Sequence, residues 1–213
     1  KVREIIDGYA VISCTWQNSG DGDNMEFSLA KLNENGEIIW EKHLGGSNHD
    51  HLYDFDVTSD GGFILGGHTL SYGVVNWDYL LMKVDSNGDE VWHKTFGQPR
   101  GYDPNYIHDE AYGVRQTPDG GFIIVGGSGD EHSYSSSDHP SGPSDEWKVY
   151  IVKTDENGEK IWDDVYPKQS VGNNAGEYLG LTDDGGVIIF VDSDSHESPA
   201  PNNFGFMKLS ISE

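Results

Sequence analysis

The chain has 213 residues, with 37 Asp and Glu against 13 Lys and Arg and a formal charge of -24. That balance argues against nucleic acid or an anionic membrane face as a partner, because phosphate recognition needs clustered Lys and Arg. No apolar run reaches the roughly 18 residues of a membrane span and no signal peptide is visible, so no membrane insertion is expected.

The elements, taken in chain order, repeat. Residues 2–5 read as a short strand ending in a turn at Asp7-Gly8-Tyr9, and Lys31-Leu32-Asn33-Glu34-Asn35-Gly36 then leads to Trp40. The same two signatures return as Asp60-Gly61-Gly62-Phe63 and Lys83 to Gly88 with Trp92. They return again as Asp119-Gly120-Gly121-Phe122 and Lys153 to Gly158 with Trp162. A last copy, Asp184-Gly185-Gly186-Val187, is followed by Lys208. Asp accepts local backbone hydrogen bonds and Gly supplies a left-handed residue, so each signature marks a tight antiparallel hairpin.

The clearest unit shows the construction. Residues 112–117, 122–127, 147–154 and 160–166 read as four strands, with both hairpins built on this turn chemistry. Repetition at a period of about 50 residues means stacked supersecondary units. Four-stranded antiparallel meanders in series predict an all-β fold, a β-propeller in one domain over 1–213. The blades span about 2–46, 50–97, 109–166 and 176–213, the last lacking its outer strand. Cys14 is expected as a small buried hydrophobe on a strand. The chain opens on Lys1 without Met, which reads as a processed or excised segment. The missing closing strand raises the expectation of further blades, or of a second copy against the terminal blade faces.

The pattern of Asp-Gly-Gly-Phe-Ile, Gly-Gly, Lys-x-Asp-x-Asn-Gly and Trp, with Lys94-Thr95-Phe96-Gly97, resembles the repeats of secreted or surface-anchored bacterial β-propeller proteins. The resemblance implies an extracellular, cell-surface or periplasmic location. It carries no catalytic motif across.

Candidate chemistry gathers in the segments between the hairpins, since long loops on a rigid scaffold are where binding resides. The segments 15–24, 68–76, 128–146 and 192–203 lie within units, and 45–50, 98–109 and 167–176 lie between them. His49 and His51, with His108 in the equivalent next link, are candidates for a transition metal, or for a general base beside Tyr53, Tyr106 and Tyr112. Asp21 and Asp23 followed by Glu26 resemble a calcium loop. Trp77, Tyr72, Tyr102, Tyr134 and Trp147 are candidates for stacking on a ligand, and Arg100 for an anionic group. Trp40, Trp92 and Trp162 recur at one position, which marks a packing contact between blades. Lys31, Lys83, Lys153 and Lys208 recur likewise and are expected to pair with strand-edge carboxylates.

The expected function is a secreted or cell-surface binding module for a glycan or protein ligand. The alternatives are a polysaccharide lyase or hydrolase with a His/Tyr site at the channel mouth, and a structural segment of a larger adhesin or multidomain protein. No cofactor is required by any motif; calcium is the ion the acidic loops suggest.

Overall fold

The computed structural model describes residues 1–19, 22–101, 103–130, 146–166, 173–193 and 203–211. Among the described residues, fifteen strands form four antiparallel sheets, each running through its strands in sequence order. The first sheet holds β1 (Val2–Ile5), β2 (Gly8–Ser19), β3 (Gly22–Leu32) and β4 (Ile38–Leu44). The second holds β5 (Asp50–Val57), β6 (Phe63–Thr69), β7 (Asp78–Val84) and β8 (Glu90–Phe96). The third is β9 (Ile107–Gln116), β10 (Phe122–Asp130), β11 (Lys148–Thr154) and β12 (Lys160–Tyr166). The fourth has three strands, β13 (Asn174–Leu181), β14 (Gly186–Ser193) and β15 (Asn203–Ser210).

The turns have the expected conformation and an added bond. In the third sheet the Gly120 N–H donates to the Thr117 carbonyl, with φ at +86°. Asp119 accepts from the Thr117 hydroxyl at 2.5 Å and from the Gly121 N–H at 3.0 Å. Its other oxygen takes the Lys153 ammonium at 2.9 Å. The pair recurs in all four sheets, as Lys31 with Asp7, Lys83 with Asp60 and Lys208 with Asp184. The repeated lysines therefore tie the third strand of each sheet to its first hairpin, through a turn aspartate rather than the strand-edge carboxylate expected.

Three apolar cores glue sheet to sheet. Alternation along each strand sends Ile64, Tyr79 and Leu81 toward the third sheet, while Phe63, Leu65 and Met82 face the first. Val125, Val149 and Ile151 of the third sheet meet Val187 and Ile189 of the fourth. Each repeated Trp crosses such a boundary. Trp40 lies edge-on to Phe63 at 6.4 Å and Trp92 edge-on to Phe122 at 5.7 Å. Trp162 packs on the core shared by the third and fourth sheets. The packing role expected for the three is thus what they do.

The strands reach further than expected. Residues 15–24, read as a loop, largely continue β2 and β3, because Trp16 pairs with Met25 and Thr15 with Glu26 in unbroken register. His51, His108 and Asp109 lie on strands rather than in links, since β5 and β9 begin before the region of strongest apolar alternation. Cys14 is on its strand but exposed, not buried. Its thiol sits 3.4 Å from the Leu52 carbonyl.

Candidate active site

The first strands of successive sheets run beside one another, β1 by β5, β5 by β9 and β9 by β13. Three of them carry a bulge at the same place. The ladder skips Tyr53 on β5, Tyr112 on β9 and Glu177 on β13. An unpaired extra residue bends the strand and re-aims its side chain, a device common beside functional sites. Glycines on the second strands make room for the bend. A Cβ on Gly67 would collide with the His51 carbonyl oxygen, and one on Gly126 with that of Glu110.

Aligned on the bulge, His49-Asp50-His51-Leu52-Tyr53 matches His108-Asp109-Glu110-Ala111-Tyr112. The two Asp residues are fully buried and structural. Asp50 accepts from the Gly46 N–H at 2.6 Å, from Ser71 at 3.1 Å and from the Thr69 hydroxyl. Asp109 accepts from the Gln98 N–H at 2.8 Å. Each thereby pins the segment entering its sheet.

The residues around them form one aromatic and imidazole cluster. His51 and His68 are cross-strand partners whose Nδ1 and Nε2 lie 3.2 Å apart. Trp77 packs on both rings, with centroids at 4.6 Å and 5.0 Å. Tyr53 lies against His68 at 5.1 Å and edge-on to Tyr112 at 5.1 Å. The Tyr112 hydroxyl donates to Glu110 at 2.6 Å, and His108 reaches the other Glu110 oxygen at 3.6 Å.

Burial sets the protonation states. It lowers His51 and takes His68, 2% exposed, down to about 3, so both imidazoles are neutral near pH 7. Burial also opposes ionisation of Glu110, but the bond from His108, the nearby His68 and the Tyr112 hydroxyl outweigh it and hold the carboxyl at about 2. Burial and then the Glu110 charge raise Tyr53 and Tyr112, keeping both phenols protonated. Glu177 is raised by burial, by Asp192 and by Glu110.

Of the sequence candidates, His51, Tyr53 and Trp77 come together here with His108 at the edge. His49 turns the other way, its Nδ1 accepting from the Met25 N–H at 3.2 Å and its ring edge-on to Trp16. Among the described residues no three His, Cys, Asp or Glu side chains converge to hold a metal ion. Glu26 sits on β3 opposite Thr15, while Asp21 and the side chain of Asp23 lie outside the described residues. Tyr102 and Tyr134 lie outside them as well. Tyr72 stacks on His93 at 3.9 Å between strands, and the Trp147 ring lies over Gly127 and Gly129. Arg100 donates to the Ser128 carbonyl at 3.0 Å. Tyr106 ends a turn in which its N–H donates to the Asp103 carbonyl. Glu110 and Glu177 escaped sequence reasoning, and His68 entered it only as a histidine at the start of the 68–76 segment. The signal for His68 was the hairpin register, which puts it opposite His51 once the bulge is counted.

No family model and no curated relative matches the chain. Solved structures do. One, described as a polysaccharide lyase PL25 ulvan lyase, superposes with a TM-score of 0.67 at 11% identity, over 100% of this chain and 56% of that one. A second, described as that lyase bound to -[GlcA(1-4)Rha3S]-, gives 0.66 at 11% identity with the same coverage. The likeness establishes a shared fold. The chain spans just over half the length of these neighbours.

Proposed function

We propose that the four sheets are consecutive blades of a β-propeller and that the His51, His68, Tyr53 and Tyr112 cluster is the site of a carbohydrate-active lyase. The carrying observation is a neutral imidazole pair and a protonated phenol in one patch, backed by an aromatic wall. The chemistry is β-elimination across a uronate residue. With His68 Nε2 accepting from His51 Nδ1–H, the lone pair on His51 Nε2 takes the C5 proton. The C5–H electrons become the C4=C5 double bond, the C4–O4 bond breaks, and Tyr53 protonates the departing O4. A base that is neutral and an acid that keeps its proton are what this step requires, and burial provides both. The superposable lyase structures support this reading over that of a binding module alone. The repeat resemblance and a polymeric substrate both imply an extracellular, cell-surface or periplasmic location.

One observation favours a second reading, a glycan-binding module. Glu110 stays ionised at the cluster, where it opposes a uronate carboxylate, and the Arg100 guanidinium is engaged with Ser128. One experiment separates the two. The purified chain is incubated with uronate-containing polysaccharides, and the ultraviolet absorbance of unsaturated uronate is followed beside glycan binding. Appearance of unsaturated product, lost in His51→Ala and Tyr53→Phe, supports the lyase. Binding with no product in any polymer supports the module.

A further inference from the structure

The boundary between sheets is written in a short repeated code. From the first sheet, Trp40 covers Gly88 of the second, whose Cβ would stand 2.8 Å from the indole, and Lys42 pairs with Asp89 at 2.7 Å. From the second, Trp92 covers Gly158 of the third, at 2.7 Å, and Lys94 pairs with Glu159 at 2.6 Å. Residues i and i+2 share one face of a strand, so each outer strand presents Trp and Lys together. The receiving sheet answers with a left-handed Gly, the acidic residue after it, and the buried ring of Phe63 or Phe122.

The first sheet carries the same receiving set. Tyr9 stands at the position of Phe63, and Gly36 and Glu37 at those of Gly88 and Asp89. Gly36 has φ +80°, against +78° and +77° at Gly88 and Gly158. Yet nothing lies within 4 Å of a Cβ on Gly36, and Tyr9 is 39% exposed where Phe63 is 2%. Glu37 meets only the neighbouring Asn33 amide, at 2.7 Å, among the described residues.

We propose that Tyr9, Gly36 and Glu37 are a docking seat for a further four-stranded sheet of this repeat class, entering with a Trp-x-Lys outer strand. Shape selects the indole, because only the flat face of a Gly-containing turn admits it. Charge selects the lysine, as it does at Asp89 and Glu159. The superposable structures leave room for such sheets, since this chain accounts for 56% of their length.

The test joins a copy of residues 50–112 ahead of Lys1 of the full chain, because Val2 pairs with Val11 as Val114 does with Ile124, so the copied strand runs into β1 in register and brings the copied Trp92 and Lys94 to the seat. Thermal melting and zero-length carbodiimide cross-linking, mapped by mass spectrometry, are read together. The expected result is a melting temperature raised by at least about 5 °C, as burial worth a couple of kcal/mol produces in a chain of this size. A cross-link between Glu37 and the copied Lys94 is expected with it. Trp92→Ala within the copy alone should abolish both. Glu37→Lys on the parent sheet, an exposed turn position, should leave the unfused chain's melting unchanged and remove the gain in the fusion. An unchanged melting temperature, absence of the cross-link, or equal stabilisation by the Trp92→Ala copy overturns the proposal.

Discussion

His51 and His68 face each other across β5 and β6 with ring nitrogens 3.2 Å apart, a contact that needs at least one of the two rings neutral. Whichever ring donates, the other must accept, and a proton on both would place two donors and two charges face to face. Burial takes His68 to about 3, so folding requires it to release a proton that the unfolded chain binds below about 6.5. The unfolded state binds more protons in that window, so stability rises with pH through it and is lost as pH falls from about 6.5 toward 3. Denaturant titrations at pH 5 and 7 should show the loss in the wild type and a shallower one in His68→Gln. A proton-insensitive His68 resonance above about pH 5 would give the same answer by NMR.

Asp109 runs the other way. Burial, with the charge of Asp78 added, raises it to about 7, and burial raises Asp78 to about 6. The folded state binds the extra protons here, so this contribution is complete at low pH and declines as pH rises from about 3.8 to about 7. Asp109→Asn keeps a group that can accept from the Gln98 N–H without a charge to bury. It should be at least as stable as the wild type at pH 8 and should lose part of the decline above pH 4, measured by urea denaturation.

The four lysine to aspartate ties predict a graded series. The Lys153 side chain is 2% exposed, that of Lys83 8%, Lys31 19% and Lys208 54%. Removing Lys153 takes the donor from the buried Thr154 carbonyl, which it reaches at 2.9 Å, as well as from the more exposed Asp119, and should cost about 1 to 3 kcal/mol. Lys→Ala changes should fall in the order 153, 83, 31, 208, with the last near the limit of detection because solvent screens it. Equal losses across the series, read from chemical denaturation, would mean that the aliphatic stems rather than burial of the ion pair set the effect.

The two glycines of one hairpin should behave differently. Gly120→Ala places a Cβ in nearly open space but on a left-handed backbone, at a cost of about 1 kcal/mol. Gly121→Ala drives a Cβ into the Thr154 carbonyl, where β10 meets β11, and should cost more than Gly120→Ala. Melting temperatures of the two variants check the order.

Much of the architecture was legible because its signals are local. The Asp-Gly-Gly and Asn-Gly turns carry their own geometry, and period-two alternation tells which residues are buried once the turns are placed. Trp40 and Trp92 could be read as packing residues from position alone, since an identical place in each unit implies an identical neighbour. The candidate site was legible only in part. His51, Tyr53 and Trp77 drew notice as residue types near links, whereas Tyr72, Trp147 and Arg100, chosen on the same grounds, are occupied by local contacts.

What the sequence by itself determined is the set of hairpins, their strand order and the pairing of each repeated lysine with a carboxylate, because turn chemistry acts within a few residues and repeats expose it. Only the tertiary structure decided that bulges at Tyr53, Tyr112 and Glu177 turn three first strands toward a common place, that burial there keeps His68 neutral, and that hydrogen-bonding neighbours hold Glu110 as an anion against that burial. A bulge shifts the register by one residue and a protonation state depends on every neighbour within a few ångströms. Both are properties of strands brought together from separate parts of the chain, which no single segment encodes.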